Sequence, residues 1–477
     1  MKLYSLLKNI KCRVVGNLNL EIKSLTHKDS DATKDSLFFC INGSKSNGEN
    51  YAKNAITRGA VAIVTERELV GVSVTQVIVS NARHAMSIIA AAFYGNPAKS
   101  LKLVGVTGTN GKTSITYILK SMFESLGKKC AAIGTNGVIF DDNIIQTGMT
   151  TPDPIELHKI LKMLNKKGIT NIFIEVSAHA LDLNKLDGIV FDAMIFTNLT
   201  EDHLDYFGTL ETYFGAKQKA FLQNRTRLSI LNIDNPFGKR LFSGIKTKVL
   251  TYSTCDESML RASNIQLKNN LQSFEINGEK FTSKLLGKFN VSNILSAICY
   301  MQSLGFNLET ISKLVSKIEP VPGRFNSFDI NGKTFIVDYA HTPDGLTNVL
   351  NLCSQLKEKD KKLICVFGCG GNRETQKRKI MGEISSKIAD FVVITTDNPR
   401  FELREAIADD IVSGITNSNY KVILDRREAI VFANKMAGVG DVVLVAGKGE
   451  EDYIDELGEK THYSDKEEIL KLRNNND

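Results

Sequence analysis

The chain has 477 residues, of which 42% are hydrophobic and 24% are charged, so it is long enough for several domains and too apolar for a disordered chain. The formal net charge of +7 is spread along the sequence without a long basic run, which argues against a nucleic-acid-binding protein. No run approaches the roughly 18 apolar residues of a membrane helix. The N-terminus does not resemble a signal peptide and the eight cysteines form no Cys-x-x-Cys pair, so we expect a cytoplasmic protein with free thiols.

Short apolar runs rich in β-branched residues alternate with helical patterns along most of the chain. Buried strands spaced by helices are typical of parallel sheets, and the sequence therefore predicts an α/β fold. The predicted strands include residues 61–64, 103–106, 172–174, 193–196, 363–367, 392–394 and 442–445.

Two segments that contain proline and glycine interrupt this pattern and predict domain boundaries. The first covers residues 94–97, just before the strand that leads into a glycine-rich loop, and the second covers residues 320–324. We therefore predict three domains, at residues 1–98, 99–324 and 325–477.

The glycine-rich loop, Thr-Gly-Thr-Asn-Gly-Lys-Thr at 107–113, lies between a predicted strand and a helical pattern that ends at Gly127. The N–H groups of such a loop and the dipole of the following helix form a cradle for phosphate. Lys112 is expected to reach the β- and γ-phosphates of a nucleotide, and the Thr113 hydroxyl to bind Mg²⁺. Val106 stands where the usual motif has its first glycine, so a tight turn without a ligand is the simpler alternative. The flanking strand and helix favour the nucleotide.

This loop and a series of later motifs resemble the Mur ligases, the family that builds the peptide stem of peptidoglycan. The resemblance runs from about residue 35 to 465 and implies an N-terminal UDP-substrate-binding domain, a central P-loop ATPase domain and a Rossmann-like C-terminal domain. It also implies an ATP-dependent ligase that phosphorylates a carboxylate and joins it to an amine through an acyl phosphate. The matching segments, in family order, are 150–152, 175–181, 197–205, 213–217, 232–234, 287–293, 323–324, 338–343 and 368–371.

The resemblance implies a catalytic set of four residues, Lys112, Glu175, His203 and Lys217. Glu175 would bridge two Mg²⁺ ions, with Thr113 at the first ion and His203 at the second. Lys217 would carry a carbamate formed with CO₂ and bind the second ion through it. The amine must be neutral to react, so the site must lower the lysine pKa. Taken singly, Glu175 would be an acid at a strand end, His203 a loop histidine and Lys217 a surface lysine.

The family motifs also imply three binding sets, although caps and turns are alternative roles for their Asn, Asp, Ser and Thr members. The nucleotide set is Gly108, Thr109, Asn110, Gly111, Lys112, Thr113, Asn232, Asp234, Asn290, Asn293, Arg324, Asp338 and His341. The set for the UDP-N-acetylmuramoyl-dipeptide is Ser30, Thr150, Thr151, Ser177 and Lys185. The set for the incoming amino acid is Arg373, Asp397, Asn398, Pro399, Arg400, Gly447 and Glu451.

The segment Asp-Asn-Pro-Arg at 397–400 resembles the motif of family members that add meso-diaminopimelate. An arginine fork suits the second carboxylate of that amino acid, and acidic groups suit its second ammonium. Several positions depart from the family pattern. Asp29-Ser30 matches the N-terminal substrate motif only after a shift of one residue. The other departures are Ala178 for serine, Lys185 for arginine, Glu450 for histidine and Arg404 for proline.

These departures leave the acceptor and the amino acid open, while the ATP motifs are intact. The alternatives are a lysine-adding ligase, a folylpolyglutamate-synthase-like or cyanophycin-synthetase-like ligase, or a divergent second copy of the enzyme. A P-loop nucleotide-binding module without ligase activity is a different class of alternative. We expect partners that are small molecules, no nucleic acid, no insertion into a membrane, and a monomer.

Overall fold

Five sheets organise the residues that the computed structural model describes, which are 1–43, 46–222, 224–268 and 270–473. Three of the sheets are large, and one lies in each of the three predicted segments. The α/β fold predicted from the sequence is confirmed, because the strands of these large sheets are mostly parallel and helices cover both faces. The precise domain boundaries stay a prediction.

The first large sheet contains five strands in the order β1-β5-β4-β3-β2, with β1 antiparallel to its neighbour and the others parallel. Its strands are β1 (Cys12–Val15), β2 (Ser24–Thr26), β3 (Ser36–Phe39), β4 (Ala60–Thr65) and β5 (Thr75–Val79). Its helices are α1 (Leu3–Leu6), α2 (Ala52–Thr57) and α3 (Ala82–Phe93). The helix α3 begins after Asn81, whose side chain accepts a hydrogen bond from His84 N at 2.9 Å and so caps the helix.

The second large sheet contains nine strands in the order β14-β13-β12-β11-β6-β10-β7-β8-β9. These strands are β6 (Lys102–Thr107), β7 (Cys130–Gly134), β8 (Gly137–Phe140), β9 (Asn143–Ile145), β10 (Asn171–Glu175), β11 (Phe191–Phe196), β12 (Thr226–Asn232), β13 (Lys248–Ser253) and β14 (Leu260–Arg261). The helices are α4 (Lys112–Ser125), α5 (Pro154–Lys166), α6 (Ala178–Asp182), α7 (Leu204–Phe207), α8 (Leu210–Gln218), α9 (Pro236–Gly244), α10 (Lys288–Ser303) and α11 (Leu308–Val315). A small antiparallel sheet follows, with β15 (Ser263–Lys268), β16 (Leu271–Ile276) and β17 (Glu279–Ser283).

The position of β6 explains why its residues 103–106 are all apolar. Its side chains alternate between faces: Val104 and Val106 pack in the cluster that contains α4 and α10, while Leu103 packs in the cluster that contains α5. Strands β10 and β11 flank β6 in parallel, with Glu175 paired to Val106 and Phe196 paired to Thr107. The carboxyl ends of three neighbouring strands therefore meet at one edge, where parallel α/β sheets bind ligands.

The third large sheet contains six strands in the order β18-β19-β23-β20-β21-β22, parallel except for the β18–β19 pair. These are β18 (Asn326–Ile330), β19 (Lys333–Asp338), β20 (Leu363–Phe367), β21 (Phe391–Ile394), β22 (Tyr420–Val422) and β23 (Val442–Ala446). A separate hairpin contains β24 (Tyr453–Glu456) and β25 (Glu459–His462). The helices are α12 (Pro343–Leu356), α13 (Gln376–Ile388), α14 (Arg404–Val412), α15 (Arg426–Met436) and α16 (Asp465–Lys471).

All of the predicted strands named above lie within observed strands, from β4 at residues 61–64 to β23 at residues 442–445. Among the described residues, no helix combines the length and apolarity needed to cross a membrane. All eight cysteines lie in the described part of the chain and each is free, as expected from their spacing.

Candidate active site

The phosphate loop connects the end of β6 to the start of α4. Gly108 and Gly111 have φ angles of 152° and 90°, a backbone region that glycine adopts readily and other residues rarely adopt. The side chain of Asn198 accepts a hydrogen bond from Asn110 N at 2.9 Å and holds the loop against the end of β11. The loop thus has the strand, turn and helix N-terminus that a phosphate cradle requires.

The Lys112 side chain lies across this loop. Its Nζ donates hydrogen bonds to Gly108 O at 2.9 Å and to Thr109 O at 2.8 Å. Burial lowers the pKa of Lys112, and the carboxylates of Glu175 and Asp202 act in the opposite direction. The Lys112 side chain therefore lies on the carbonyl groups of the phosphate loop, near the carboxylates of Glu175 and Asp202.

Glu175 lies at the end of β10 and is 1% exposed. Its carboxylate accepts hydrogen bonds from Thr135 N at 3.0 Å and from Thr135 Oγ1 at 3.2 Å. Thr135 was missed in the sequence, although it follows β7, the parallel neighbour of β10, and the ends of such strands must be adjacent. A Cβ atom on Gly134 would collide with the Glu175 side chain, so the glycine makes room for the carboxylate.

Thr150, Thr151 and Ser177 adjoin Glu175 in different ways. Thr150 Oγ1 is 3.1 Å from Thr135 Oγ1. Thr151 Oγ1 donates to Glu175 O at 2.7 Å and accepts from Ser177 N at 3.0 Å, while Ser177 Oγ accepts from Ala180 N at 3.2 Å and caps α6. The hydroxyls of Thr151 and Ser177 therefore hold the backbone here, as the capping alternative expects.

His203 immediately precedes α7 and has a left-handed conformation, with φ of 58°. Its ring is 4.9 Å from that of His179, and its Nε2 is 3.4 Å from Asp202 Oδ2. Burial lowers the pKa of His203 to about 3, so its imidazole is neutral and able to bind a metal. Burial alone would raise the pKa of Asp202, but His203, His341 and Lys377 hold it at about 2. The Asp202 carboxylate was missed as a site residue in the sequence, although it lies in a family motif.

Lys217 lies on α8 and is 1% exposed, so it is not a surface lysine. Its Nζ donates to Gly108 O at 2.9 Å and lies 4.4 Å from the centre of the Tyr213 ring. Burial, followed by the positive charge of Lys112, lowers the pKa of Lys217 well below its ordinary value. The environment therefore favours a neutral amine, which is the form that reacts with CO₂.

The expected metal ligands supply few anionic groups. The described residues contain no group of three or more His, Cys, Asp or Glu side chains that could hold a metal ion. The Thr113 hydroxyl accepts a hydrogen bond from Arg324 Nη2 at 3.0 Å. Because Mg²⁺ prefers oxygen ligands and often combines one or two carboxylates with substrate phosphates, Glu175 and Thr113 fit it as partners of a nucleotide. A carbamate on Lys217 would add the missing anionic oxygen.

A cavity of about 250 Å³ brings most of the predicted residues together, between the phosphate loop and the ends of the C-terminal strands. Asp202, Tyr339 and Lys377 also line it. Lys217 and Thr151 are buried beside it and do not line it. The predicted residues on its wall are Thr109, Asn110, Gly111, Lys112, Thr113, Thr150, Glu175, Ser177, His203, Arg324, His341, Arg373, Asp397, Arg400 and Gly447.

A second cavity, of about 410 Å³, opens from the other side of the phosphate loop. Asn110, Gly111, Arg324 and His341 line both cavities. The remaining predicted nucleotide residues on its wall are Asn232, Asp234, Asn290, Asn293 and Asp338. The two cavities together therefore surround the phosphate loop.

Several of these nucleotide-set residues also hold the protein's own backbone. Asn232 Nδ2 donates to Thr197 O at 2.7 Å, and Asp234 accepts from Thr254 N at 2.7 Å. Asp338 accepts from Phe325 N at 2.8 Å, and burial raises its pKa. These contacts match the cap and turn roles that the residue types allow.

A third cavity, of about 400 Å³, lies between the N-terminal segment, including α3, and the residues Asp153, Leu183 and Lys185 of the central segment. Ser30 and Lys185 line it, together with His27 and Arg83. Lys185 Nζ is 2.8 Å from Asp153 Oδ1, so the lysine that replaces the usual arginine is held by an ion pair. The predicted dipeptide set is therefore divided between this cavity and the first one.

Only part of the 397–400 motif lines the first cavity, namely Asp397 and Arg400. Arg400 has a left-handed φ of 52°, and its Nη1 donates to Gly371 O at 2.6 Å. Asn398, Pro399 and Glu451 do not line the first cavity. Asn398 instead donates to Glu451 Oε2 at 2.9 Å and accepts from Lys448 Nζ at 3.1 Å. Lys448 is completely buried and was missed in the sequence, where a lysine in a glycine-rich segment does not indicate burial.

Comparison with known protein families gives three matches, which follow one another along the chain. The Mur ligase family catalytic domain matches residues 21–94, the Mur ligase middle domain matches residues 106–301, and the Mur ligase glutamate ligase domain matches residues 323–449.

Similar proteins include the UDP-N-acetylmuramoyl-L-alanyl-D-glutamate–2,6-diaminopimelate ligase of Clostridium tetani, 39% identical over 99% of each chain. The protein of the same name from Bacteroides fragilis is also 39% identical over 99% of each chain. A solved structure with that name, 29% identical, superposes with a TM-score of 0.70 over 99% of each chain. The ADP complex of MurF ligase from Thermotoga maritima, 18% identical, shares the fold with a TM-score of 0.64 over 94% of this chain and 97% of its own. The chain thus belongs to the Mur ligase family, whose members are ATP-dependent ligases that form amide bonds.

Proposed function

We propose that the protein joins meso-diaminopimelate to the glutamate carboxylate of UDP-N-acetylmuramoyl-L-alanyl-D-glutamate, in the cytoplasm and as a monomer, during synthesis of peptidoglycan precursors. The observation that carries the proposal is one shared cavity. Lys112 and Glu175 of the phosphate-loop region line it together with Asp397 and Arg400 of the amino-acid motif. Relatives about 39% identical over the whole chain have names that specify the same acceptor and amino acid.

The proposed position of ATP follows from the two cavities that meet at the phosphate loop. The larger cavity, lined by Asn232 and Asn290, has room for the nucleoside, and the smaller one receives the γ-phosphate. Lys112 then moves from the loop carbonyls to the phosphates, where its charge offsets the charge that develops during transfer. Arg324 stands at the wall shared by both cavities.

Thr113, Glu175, His203 and a carbamate on Lys217 are the proposed ligands of two Mg²⁺ ions. These ions would neutralise phosphate charge and orient the transferred group. Two features of the chain support the assignment: the imidazole of His203 is neutral because burial lowers its pKa to about 3, and the Lys217 amine is buried without an ion pair among the described residues. Thr135 orients the Glu175 carboxylate through two hydrogen bonds.

The two substrates would approach from different sides. The UDP end of the acceptor fits the third cavity, at Ser30 and Lys185, and its peptide end reaches Thr150 and Ser177. In the first cavity, the distal carboxylate of diaminopimelate pairs with Arg400 and its distal ammonium with Asp397. The other amine then attacks the acyl phosphate, forms the amide and releases phosphate.

The test is product analysis with the purified protein. ATP, Mg²⁺ and UDP-N-acetylmuramoyl-L-alanyl-D-glutamate are incubated with each amino acid of a panel that includes meso-diaminopimelate and lysine, and product masses are measured. We expect ADP and a product whose mass corresponds to addition of diaminopimelate. A product of equal yield with lysine would contradict the choice of amino acid, and the absence of product with every amino acid would contradict the acceptor.

A further inference from the structure

The β24–β25 hairpin lies against the backbone of Arg400. Arg400 N donates to Asp455 O at 2.9 Å, and Arg400 O accepts from Leu457 N at 2.7 Å. These two bonds form an isolated parallel bridge between Arg400 and Glu456. Asp455 N also donates to Asn398 Oδ1 at 3.0 Å. The hairpin therefore holds the backbone from which the Arg400 guanidinium projects.

Arg400 needs such support because of its conformation. A left-handed φ of 52° at an arginine persists only where surrounding contacts over-determine it. One contact is the hydrogen bond from Arg400 Nη1 to Gly371 O, and the hairpin supplies the others. The direction of the guanidinium therefore depends on the position of the hairpin.

An ion pair connects the hairpin to the helix that follows Arg400. Arg404, the first residue of α14, donates from Nε to Glu456 Oε1 at 2.8 Å and from Nη2 to Glu456 Oε2. This is a two-point pairing between planar groups, which fixes orientation as well as distance. Glu456 stands between Asp455 and Leu457, the two residues that bond to the Arg400 backbone.

Because the Arg404–Glu456 pair is partly exposed, it can affect the position of the hairpin without contributing much to the free energy of unfolding. The side chains of Arg404 and Glu456 are 35% and 43% exposed. Ion pairs in contact with solvent contribute little to the free energy of unfolding. Substitutions at these positions should therefore leave the fold intact, so that any change in the choice of amino acid reports on geometry.

We propose that the Arg404–Glu456 ion pair is a clasp that holds the hairpin on Arg400 and thereby sets selectivity for the distal carboxylate of the incoming amino acid. The inference rests on the proposed function, since it concerns the same cavity. Arg404 and Glu456 are positioning residues: they touch neither substrate, and they act through the backbone and side chain of Arg400.

The experiment compares full-length wild type with Arg404→Ala, Glu456→Ala and the charge exchange Arg404→Glu/Glu456→Arg. Glu211→Ala is the matched control, because Glu211 forms a two-point pair with Arg240 on another surface of the protein. KM and kcat are measured for diaminopimelate, lysine and ATP, and hydrogen exchange is measured at the Leu457 amide. Each single variant should raise KM for diaminopimelate about tenfold with a smaller change in kcat. KM for ATP should not change, exchange at Leu457 should be faster, and the charge exchange should recover part of the loss.

The outcomes distinguish the clasp from the proposed function. Folded single variants that match Glu211→Ala in amino-acid selectivity would overturn the clasp, even if exchange at Leu457 becomes faster. Equal losses for diaminopimelate and lysine would overturn it too, because they would indicate a general structural role. If the wild type prefers another amino acid of the panel, the proposed function fails, and the same comparison is made with the preferred amino acid to decide on the clasp.

Discussion

The phosphate-loop region and the amino-acid motif face each other across one cavity, but the protein holds them in different ways. Glu175 and the phosphate loop stand at the ends of parallel strands in the nine-stranded sheet, where backbone pairing fixes their spacing. Arg400 itself has a left-handed conformation, and hydrogen bonds to the hairpin and to Gly371 O hold it in place. Under the proposed function, the residues for ATP chemistry lie at the ends of paired strands, whereas the proposed selectivity residue is held by contacts that a few substitutions can change.

The largest effect is expected at the amino-acid motif. Arg400→Ala should reduce the preference for diaminopimelate over lysine by about 10⁴-fold, since a site built for a polar group strongly rejects an analogue that lacks it. The measurement is the ratio of kcat/KM for the two amino acids. Arg427→Ala, which removes a half-exposed arginine of α15, is the control. A ratio that Arg400→Ala leaves unchanged would show that this arginine only stabilises its turn.

The phosphate loop should show the next largest effect, and it should act on rate instead of selectivity. Lys112→Ala is expected to lower kcat for ADP formation about 10²–10³-fold, because one charge at the transferred phosphoryl group is lost. The ratio between diaminopimelate and lysine should stay that of the wild type. A folded variant with normal turnover would remove Lys112 from the mechanism.

Lys217→Ala should lower activity about a hundredfold, because it removes the anionic ligand that the carbamate is proposed to supply. Added acetate or formate should restore part of the activity by occupying the space of the carbamate. Lys219→Ala is the control, since this neighbouring lysine is partly exposed and paired with Asp182. Mass spectrometry and ¹³CO₂ labelling test the modification itself, and an unlabelled Lys217 in the active enzyme would contradict it.

The smallest effect is expected at Thr135, where only part of the contact with Glu175 is removed. Thr135→Val keeps the bond from the backbone N–H and loses the one from the hydroxyl, which should raise the activation free energy by about 1.5 kcal/mol and lower kcat about tenfold. KM for Mg²⁺ should rise, whereas thermal stability should change little. An unchanged dependence of rate on Mg²⁺ concentration would leave Thr135 without a role in orienting Glu175.

The same contrast explains what the sequence could predict. The strands were recognisable because the central residues of β6, β10 and β11 are buried on both faces and are therefore apolar, and the location of Glu175 at a strand end followed. The burial of Lys217 was not recognisable without the family resemblance, because it arises from packing against Tyr213 and the phosphate loop. The hairpin contacts of Arg400 come from residues more than fifty positions away, and no local pattern indicates such pairing.

The second cavity, of about 410 Å³, has walls from both the middle and the C-terminal segments. Arg324 donates to Thr113 Oγ1, and Asn110 Nδ2 donates to Asp344 Oδ2 at 2.9 Å, so residues on both sides of the predicted 324/325 boundary meet at the loop. A nucleotide that touches both walls stabilises the arrangement in which the walls are together. If it bound that arrangement alone, the stabilisation at a hundred times its Kd would be about 2.7 kcal/mol. A middle segment expressed alone would keep its phosphate loop but lack the contacts from the C-terminal wall, and it should therefore bind nucleotide more weakly than the full chain. The difference between the two affinities then measures how strongly the nucleotide favours docking of the two segments.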